Sequence, residues 1–298
     1  MTRLWKTLAG SVVLKVSGKD SRRYLNNRLS NDLRSLSPGA SIAAAALTPQ
    51  GKVEGLFTVL CEADDLFYLI CDGGVRQAIF AAVGRYVVAD RVSIEDLSLS
   101  AVVTHVSGPE ADLRAEIETL GAQVTSRVFQ SSISPLGIVV VVLDGAGESM
   151  EAAFAALWGK PLSAEELMRV RFSGGFPEYP TEVNDEVILT ECGLLSAVSF
   201  SKGCYVGQEV IERSDAIGRL PRHLERISLS GCGSVQVGDA VLNREGTVIG
   251  KVVSSFCDAT NERTFLFALL RSGKYAAHDA VLSGSLTGYV LSSEEKIP

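Results

Sequence analysis

Ser201–Arg213 reads S-K-G-C-Y-V-G-Q-E-V-I-E-R and packs a lysine, a thiol, a phenol, two glycines, an amide, carboxylates and an arginine into one short stretch. The apolar run before it, Leu194–Phe200, suits a strand or a buried segment. From Gly207 on, Gln208, Glu209, Val210, Ile211, Glu212 and Arg213 are mostly good helix formers. The pattern predicts a strand, a tight turn over Lys202–Cys204, and a short helix starting near Gly207. Cys204 would then sit beside a helix N-terminus and the ammonium of Lys202, and either neighbour favours thiolate over thiol. The plainer reading is a small buried thiol at a turn.

Lys202, Gly203, Cys204, Tyr205, Gly207, Gln208, Glu209 and Arg213 spell K-G-C-Y-x-G-Q-E-x-x-x-R, which resembles the motif of the YgfZ family. That family consists of tetrahydrofolate-binding proteins related to the T-protein (aminomethyltransferase) of the glycine cleavage system, with mitochondrial relatives that support iron–sulfur cluster assembly. Other stretches are similar to the same family: V-S-G-K-D-S-x-x-Y-L-N-N-x-L-S-N-D-L near the N-terminus, L-T-P-Q-G-K-V over Leu47–Val53, R-Y-V-V over Arg85–Val88, and V-x-I-E-D-L over Val92–Leu97. The resemblance covers most of the chain and is thin between about Ala111 and Ser163.

Composition is consistent with this. The 298 residues, 46% hydrophobic and 21% charged, allow two or three modest domains. A net charge of −7 argues against nucleic acid as main partner, because neutralising phosphates needs a basic face. No run of 18 apolar residues predicts a membrane span, and Met1–Gly10 lacks the features of a signal peptide, so a cytoplasmic protein is expected. Cysteines 61, 71, 192, 204, 232 and 257 show no short metal-ligand spacing, which predicts free thiols and no metal or cluster site within the chain.

Along the chain, short strands are expected at Val12–Val16, Ser41–Leu47, Lys52–Cys61, Leu66–Cys71, Val92–Leu97, Ala101–Val106 and Ile138–Leu143. Helices are expected after Asp20 as N-cap, after Gly73-Gly74, over Pro109–Leu120 and Glu148–Trp158, and from a Ser163/Glu166 capping box to Val170, broken at Gly174-Gly175. After Pro221, short strands separated by glycine-containing or polar turns read as a small all-β barrel or sandwich. The fold class is therefore α+β: a T-protein-like folate-binding region of two α+β subdomains, contiguous or interleaved in sequence, over residues 1–220, then a C-terminal β-barrel over 221–298. The barrel follows from the strand pattern and from the resemblance alike.

The resemblance implies tetrahydrofolate as cofactor. A pterin edge needs a carboxylate or carbonyls, the aminobenzoyl ring an apolar or aromatic wall, and the glutamate tail a cation. Candidates are Glu182, Glu191 and Glu209 for the edge, with Gln208 reading the pterin amide. Tyr179 and Tyr205 suit the wall, and Lys202, Arg213, Arg219 and Arg222 the tail. Cys204 is the candidate functional thiol at the rim of the pocket, activated by Lys202. His105, His223 and His278 lie in no recognisable catalytic motif and read as satisfied polar or surface residues. Two features depart from the transferase: Gly51-Lys52-Val53-Glu54-Gly55 retains at best Glu54 of a paired carboxylate, and Arg171 stands where an acid is expected. The expected function is a tetrahydrofolate-binding protein serving iron–sulfur client proteins. The alternative is a folate-dependent one-carbon transferase, for which Glu54 would have to point into the pocket.

Overall fold

In the computed structural model the described residues are 3–119, 125–143, 147–216 and 220–292. Strands β1 (Trp5–Leu8) and β2 (Val12–Ser17) are consecutive in the chain but belong to different sheets. Helix α1 (Ser21–Arg28) leads to β3 (Ser41–Leu47), β4 (Val53–Ala63) and β5 (Leu66–Cys71), and α2 (Arg76–Gly84) to β6 (Ser93–Asp96). These strands form an antiparallel sheet in the order β3-β4-β5-β2-β6. A second antiparallel sheet, β1-β7-β9-β8, uses β7 (Val102–Val106), β8 (Ser126–Gln130) and β9 (Ile138–Val142), with helices α3 (Glu110–Glu118) and α4 (Gly147–Trp158).

Period-two alternation explains how the sheets stack. Val13, Tyr68 and Ile70 of the first sheet meet Val103, Val139 and Val141 of the second in one core. Their neighbours Leu14, Phe67 and Leu69 face α1 and α2, while Val140 and Val142 face Phe154 and Trp158 of α4. Both faces of β9 are thus buried, which is why Ile138–Val142 is a continuous apolar run.

Helix α5 (Ala164–Gly174) has the expected capping box, with the Glu166 N–H donating to Ser163 Oγ and the Ser163 N–H to the Glu166 carboxylate. It ends at Gly175, whose φ of 69° lies in the left-handed region that glycine adopts at little cost. Helix α6 (Gln208–Ala216) begins one residue after Gly207, close to expectation. Strands β10 (Arg222–Ser230), β11 (Ala240–Asn243), β12 (Val248–Asp258), β13 (Arg263–Arg271), β14 (Ala280–Ser283) and β15 (Leu286–Val290) close into a barrel, in the order β10-β13-β12-β11-β14-β15. The architecture is α+β with a closed C-terminal barrel.

Three expectations are corrected. Leu194–Phe200 is not a strand: Leu195–Ala197 is a 3-10 turn, and the Ser199 N–H donates to the Ser30 carbonyl instead of to a sheet. Asp20 occupies the N-cap position of α1 as expected but makes no side-chain cap; its carboxylate accepts from the Arg91 backbone N–H and Nε. Nor are all six cysteines free, since Cys232 and Cys257 form a disulfide with Cα atoms 5.5 Å apart. The barrel brings the turn after β10 beside the end of β12, a proximity that their separation of 25 residues does not signal.

One ion pair ties the barrel to α5. The fully buried Asp258 carboxylate accepts from Arg169 Nε at 2.8 Å and Nη2 at 2.9 Å, and from Asn261 Nδ2 at 2.9 Å. The Arg169 guanidinium, then Asn261, hold its pKa down at about 2. The folded carboxylate therefore keeps its charge to lower pH than the unfolded one. Its stabilisation, roughly 2 kcal/mol, is present above the unfolded pKa and is lost as pH falls from about 4 through about 2. In urea unfolding between about pH 5 and pH 2, wild type should lose that much more stability than Asp258→Asn.

Candidate functional site

Three of the stretches that carry the resemblance meet in one place. Helix α1 ends with carbonyls that have no partner in their own helix, and the 199–206 segment supplies the donors. Lys202 Nζ donates to the carbonyls of Leu29 and Asn31, each at 2.7 Å, and to that of Asn26. The Val206 N–H donates to the Asn27 carbonyl at 3.3 Å. Asn31 Nδ2 bridges the Ala43 and Ser196 carbonyls, at 2.8 Å each. The Thr48–Lys52 turn between β3 and β4 closes the clasp. Gly207, at φ 84°, leaves no space for a Cβ, which would lie 2.6 Å from the Thr48 carbonyl oxygen; a Cβ on Gly51 would lie 2.8 Å from Val210. Most of the motif is therefore structural.

Its side chains divide accordingly. Lys202 is buried, and an ammonium has three hydrogens, all spent on carbonyls. It also lies 4.9 Å from the Tyr205 ring centroid. Burial pulls Lys202 down to about 8, against a smaller upward pull from Asp32, and pushes the Tyr205 phenol up to about 12. Lys202 thus holds the helix end, which replaces its expected role as an activator of Cys204. Gln208 Oε1 accepts the Tyr205 N–H at 3.2 Å, and its Nε2 donates to Glu212 at 2.5 Å. Cys204, Glu209 and Arg213 remain exposed. Cys204 is the one exposed free thiol among the described residues; Cys61, Cys71 and Cys192 are buried, and burial raises the pKa of each.

Glu182 and Glu191 are committed elsewhere. Glu182, fully buried, accepts from Arg171 Nη2, from Ser254 Oγ and, at 2.8 Å, from the Glu178 N–H. Glu191 takes a two-pronged pair from Arg222, at 2.8 and 2.9 Å. The two carboxylates were legible as charges in the sequence; their arginine partners were not. Glu54 is bracketed by Arg28 Nη2 at 2.7 Å and Arg85 Nη1 at 2.6 Å, as a counter-ion of two guanidiniums. Arg219 lies outside the described residues.

A cleft partly open to solvent lies where the two sheets and α5 meet. Leu56, Ile133, Pro135, Phe176, Pro177 and Tyr179 give it apolar walls, and Asp72, His105, Arg171 and Glu178 make its polar end. The Tyr179 hydroxyl donates to the Glu54 carbonyl at 2.9 Å, fixing the ring against the wall. Burial raises the pKa of Glu178, opposed by Arg171, to which it is paired. Of the expected folate ligands, Tyr179 lines the cleft. Glu182, Glu191, Tyr205, Gln208, Glu209 and Arg213 do not, nor do Glu54 and Cys204. Asp72 was not singled out, and His105 was read as a satisfied polar residue, which its two ring contacts make it. The one available signal was a histidine inside the otherwise apolar strand V-V-T-H-V.

Residues 11–125 match the family described as GCVT N-terminal domain. Across its whole length the chain superposes, with a TM-score of 0.80 at 15% identity, on 88% of the glycine cleavage system aminomethyltransferase T from Bartonella henselae. Residues 11–125 are thus similar to a GCVT N-terminal domain, and the chain has the T-protein fold. Its similarity extends to relatives of the YgfZ kind that its motif resembles. It is 26% identical over 82% of its length to the human mitochondrial iron–sulfur cluster assembly factor IBA57, covering 72% of that protein. It is 23% identical over 77% of its length to the tRNA-modifying protein YgfZ of Hamiltonella defensa, covering 71% of it. A putative chloroplastic transferase of Arabidopsis thaliana is 22% identical over 81% of this chain, which spans 59% of that relative. No described helix is long and apolar enough to cross a membrane.

Proposed function

We propose that the chain binds tetrahydrofolate in the cleft and uses Cys204, on a separate surface, in the assembly or repair of iron–sulfur client proteins. The observation that carries this reading is the division of the site. The cleft offers an apolar wall ending in carboxylates and a guanidinium, which suits a flat heterocycle with an amide-like edge. Cys204 stands outside it, exposed at the start of α6 beside the exposed Glu209 and Arg213. Sequence similarity to a protein named as an iron–sulfur cluster assembly factor supports the second half of the reading.

A cleft that orders a folate and an exposed thiol on the clasp can act as one device without a shared reaction centre. Folate binding would rigidify the β4–Tyr179–α5 side of the molecule, while Cys204 meets the client. A one-carbon transferase is the second reading, favoured by a relative named as a putative transferase. In that case Glu54 is not its base, because it is held between Arg28 and Arg85.

The test is complementation. In cells lacking this protein, wild type should restore the activity of iron–sulfur enzymes. Cys204→Ser should fold, as an exposed residue allows, and fail to restore it. Full restoration by Cys204→Ser would remove the thiol from the function.

A further inference from the structure

The polar end of the cleft contains a chain of groups that neither the motif nor the relatives point to. His105 is almost fully buried in β7, yet both its ring nitrogens are engaged: Nδ1 lies 2.9 Å from Ser134 Oγ and Nε2 lies 3.1 Å from Asp72 Oδ1. Ser134 is itself buried, and its Oγ accepts the Leu136 N–H at 3.3 Å. The Asp72 carboxylate only accepts, so the neutral ring donates from Nε2 to Asp72 and its Nδ1 accepts the Ser134 hydroxyl hydrogen. Asp72 lines the cleft with its side chain 23% exposed, and Oδ2 has no partner among the described residues. A carboxylate that lines a cleft, with one oxygen held by a buried imidazole and the other unengaged among the described residues, is built to accept hydrogen bonds from a ligand. Other charges at this end are Glu178, already paired with Arg171, and Arg171 itself, shared with Glu182.

We infer that Asp72 is the specificity-determining carboxylate of the cleft and accepts the N–H donors of a 2-amino-4-oxopyrimidine edge, with His105 and Ser134 as positioning residues. The inference rests on the folate reading and assigns which residue reads the heterocycle. Such an edge presents an exocyclic amine beside a ring N–H, a pair of donors that one carboxylate can meet. A ring with oxygen in place of the amine presents an acceptor to the same oxygen and is rejected. A site built to bond an N–H discriminates strongly against an analogue lacking it, because its buried polar groups are then left unmatched.

The experiment titrates full-length wild type, Asp72→Asn and His105→Gln with tetrahydrofolate, with pterin, and with lumazine, the dioxo analogue lacking the 2-amino group. Near-UV circular dichroism checks that each variant is folded. Wild type should prefer pterin to lumazine by roughly 10-fold or more. Asp72→Asn should lose about that factor for pterin and tetrahydrofolate, but little for lumazine, so that the ratio collapses toward one. His105→Gln should lower the ratio partway. A folded Asp72→Asn that binds tetrahydrofolate as wild type does, with the ratio kept, overturns the assignment and leaves the folate reading standing. Wild type that binds none of the three overturns the folate reading instead.

Discussion

Lys202→Met should destabilise the protein by about 3 kcal/mol, because three carbonyls at the end of α1 lose their donor together. The side chains are of similar length, so packing is largely conserved and the loss reports the hydrogen bonds. The ammonium itself is costly to bury, as its pKa near 8 shows, and methionine avoids that cost. The figure is accordingly a net one, lower than the sum for three charge-assisted bonds. Urea unfolding with the slope unchanged checks it. A loss under about 0.5 kcal/mol would mean that Lys202 is retained for chemistry and not to hold the helix end.

The second large effect lies across the cleft. Arg171→Met should cost about 3–5 kcal/mol, because it strands the Glu182 carboxylate in the interior with only Ser254 Oγ and the Glu178 N–H as partners. Replacing both members, Arg171→Met with Glu182→Leu, should recover much of the loss, since removing a whole buried pair is far less costly than breaking one. A double variant no more stable than Arg171→Met would show that the guanidinium acts mainly through Phe176 and Glu178. Both variants also reshape the polar end of the cleft, so their folate affinities should fall.

How much of this was legible depends on the distance over which each signal acts. Strand and helix periodicity is local, and β2, β5, α5 and the start of α6 could be read directly. The capping box at Ser163 and Glu166 is a four-residue pattern and was visible for that reason. The barrel was visible through repeated short strands and turns. Leu194–Phe200 was misread because an apolar run shows burial and not its partner, and Ser199 finds that partner at Ser30. Lys202 looked like a neighbour of Cys204 because sequence shows adjacency along the chain, whereas its acceptors lie more than 170 residues away.

The site shows the same division more sharply. Charged residues between Tyr179 and Arg222 were read as lining one site, but Glu182 and Glu191 spend their charges on Arg171 and Arg222 and do not line the cleft. Asp72, just past the end of β5, and His105 on β7 are 33 residues apart, and only the stacking of the two sheets brings them together. Cys204 was legible as the distinctive atom of the motif; its separation from the cleft was not.

The measurement that bears most directly on the central claim is titration of the purified protein with tetrahydrofolate, wild type beside Cys204→Ser. The account predicts saturable binding of equal affinity in the two proteins, because the ligand occupies the cleft and the thiol stands outside it. A folded wild type with no saturable binding would contradict the folate reading, and binding lost in Cys204→Ser would contradict the separation of cleft and thiol.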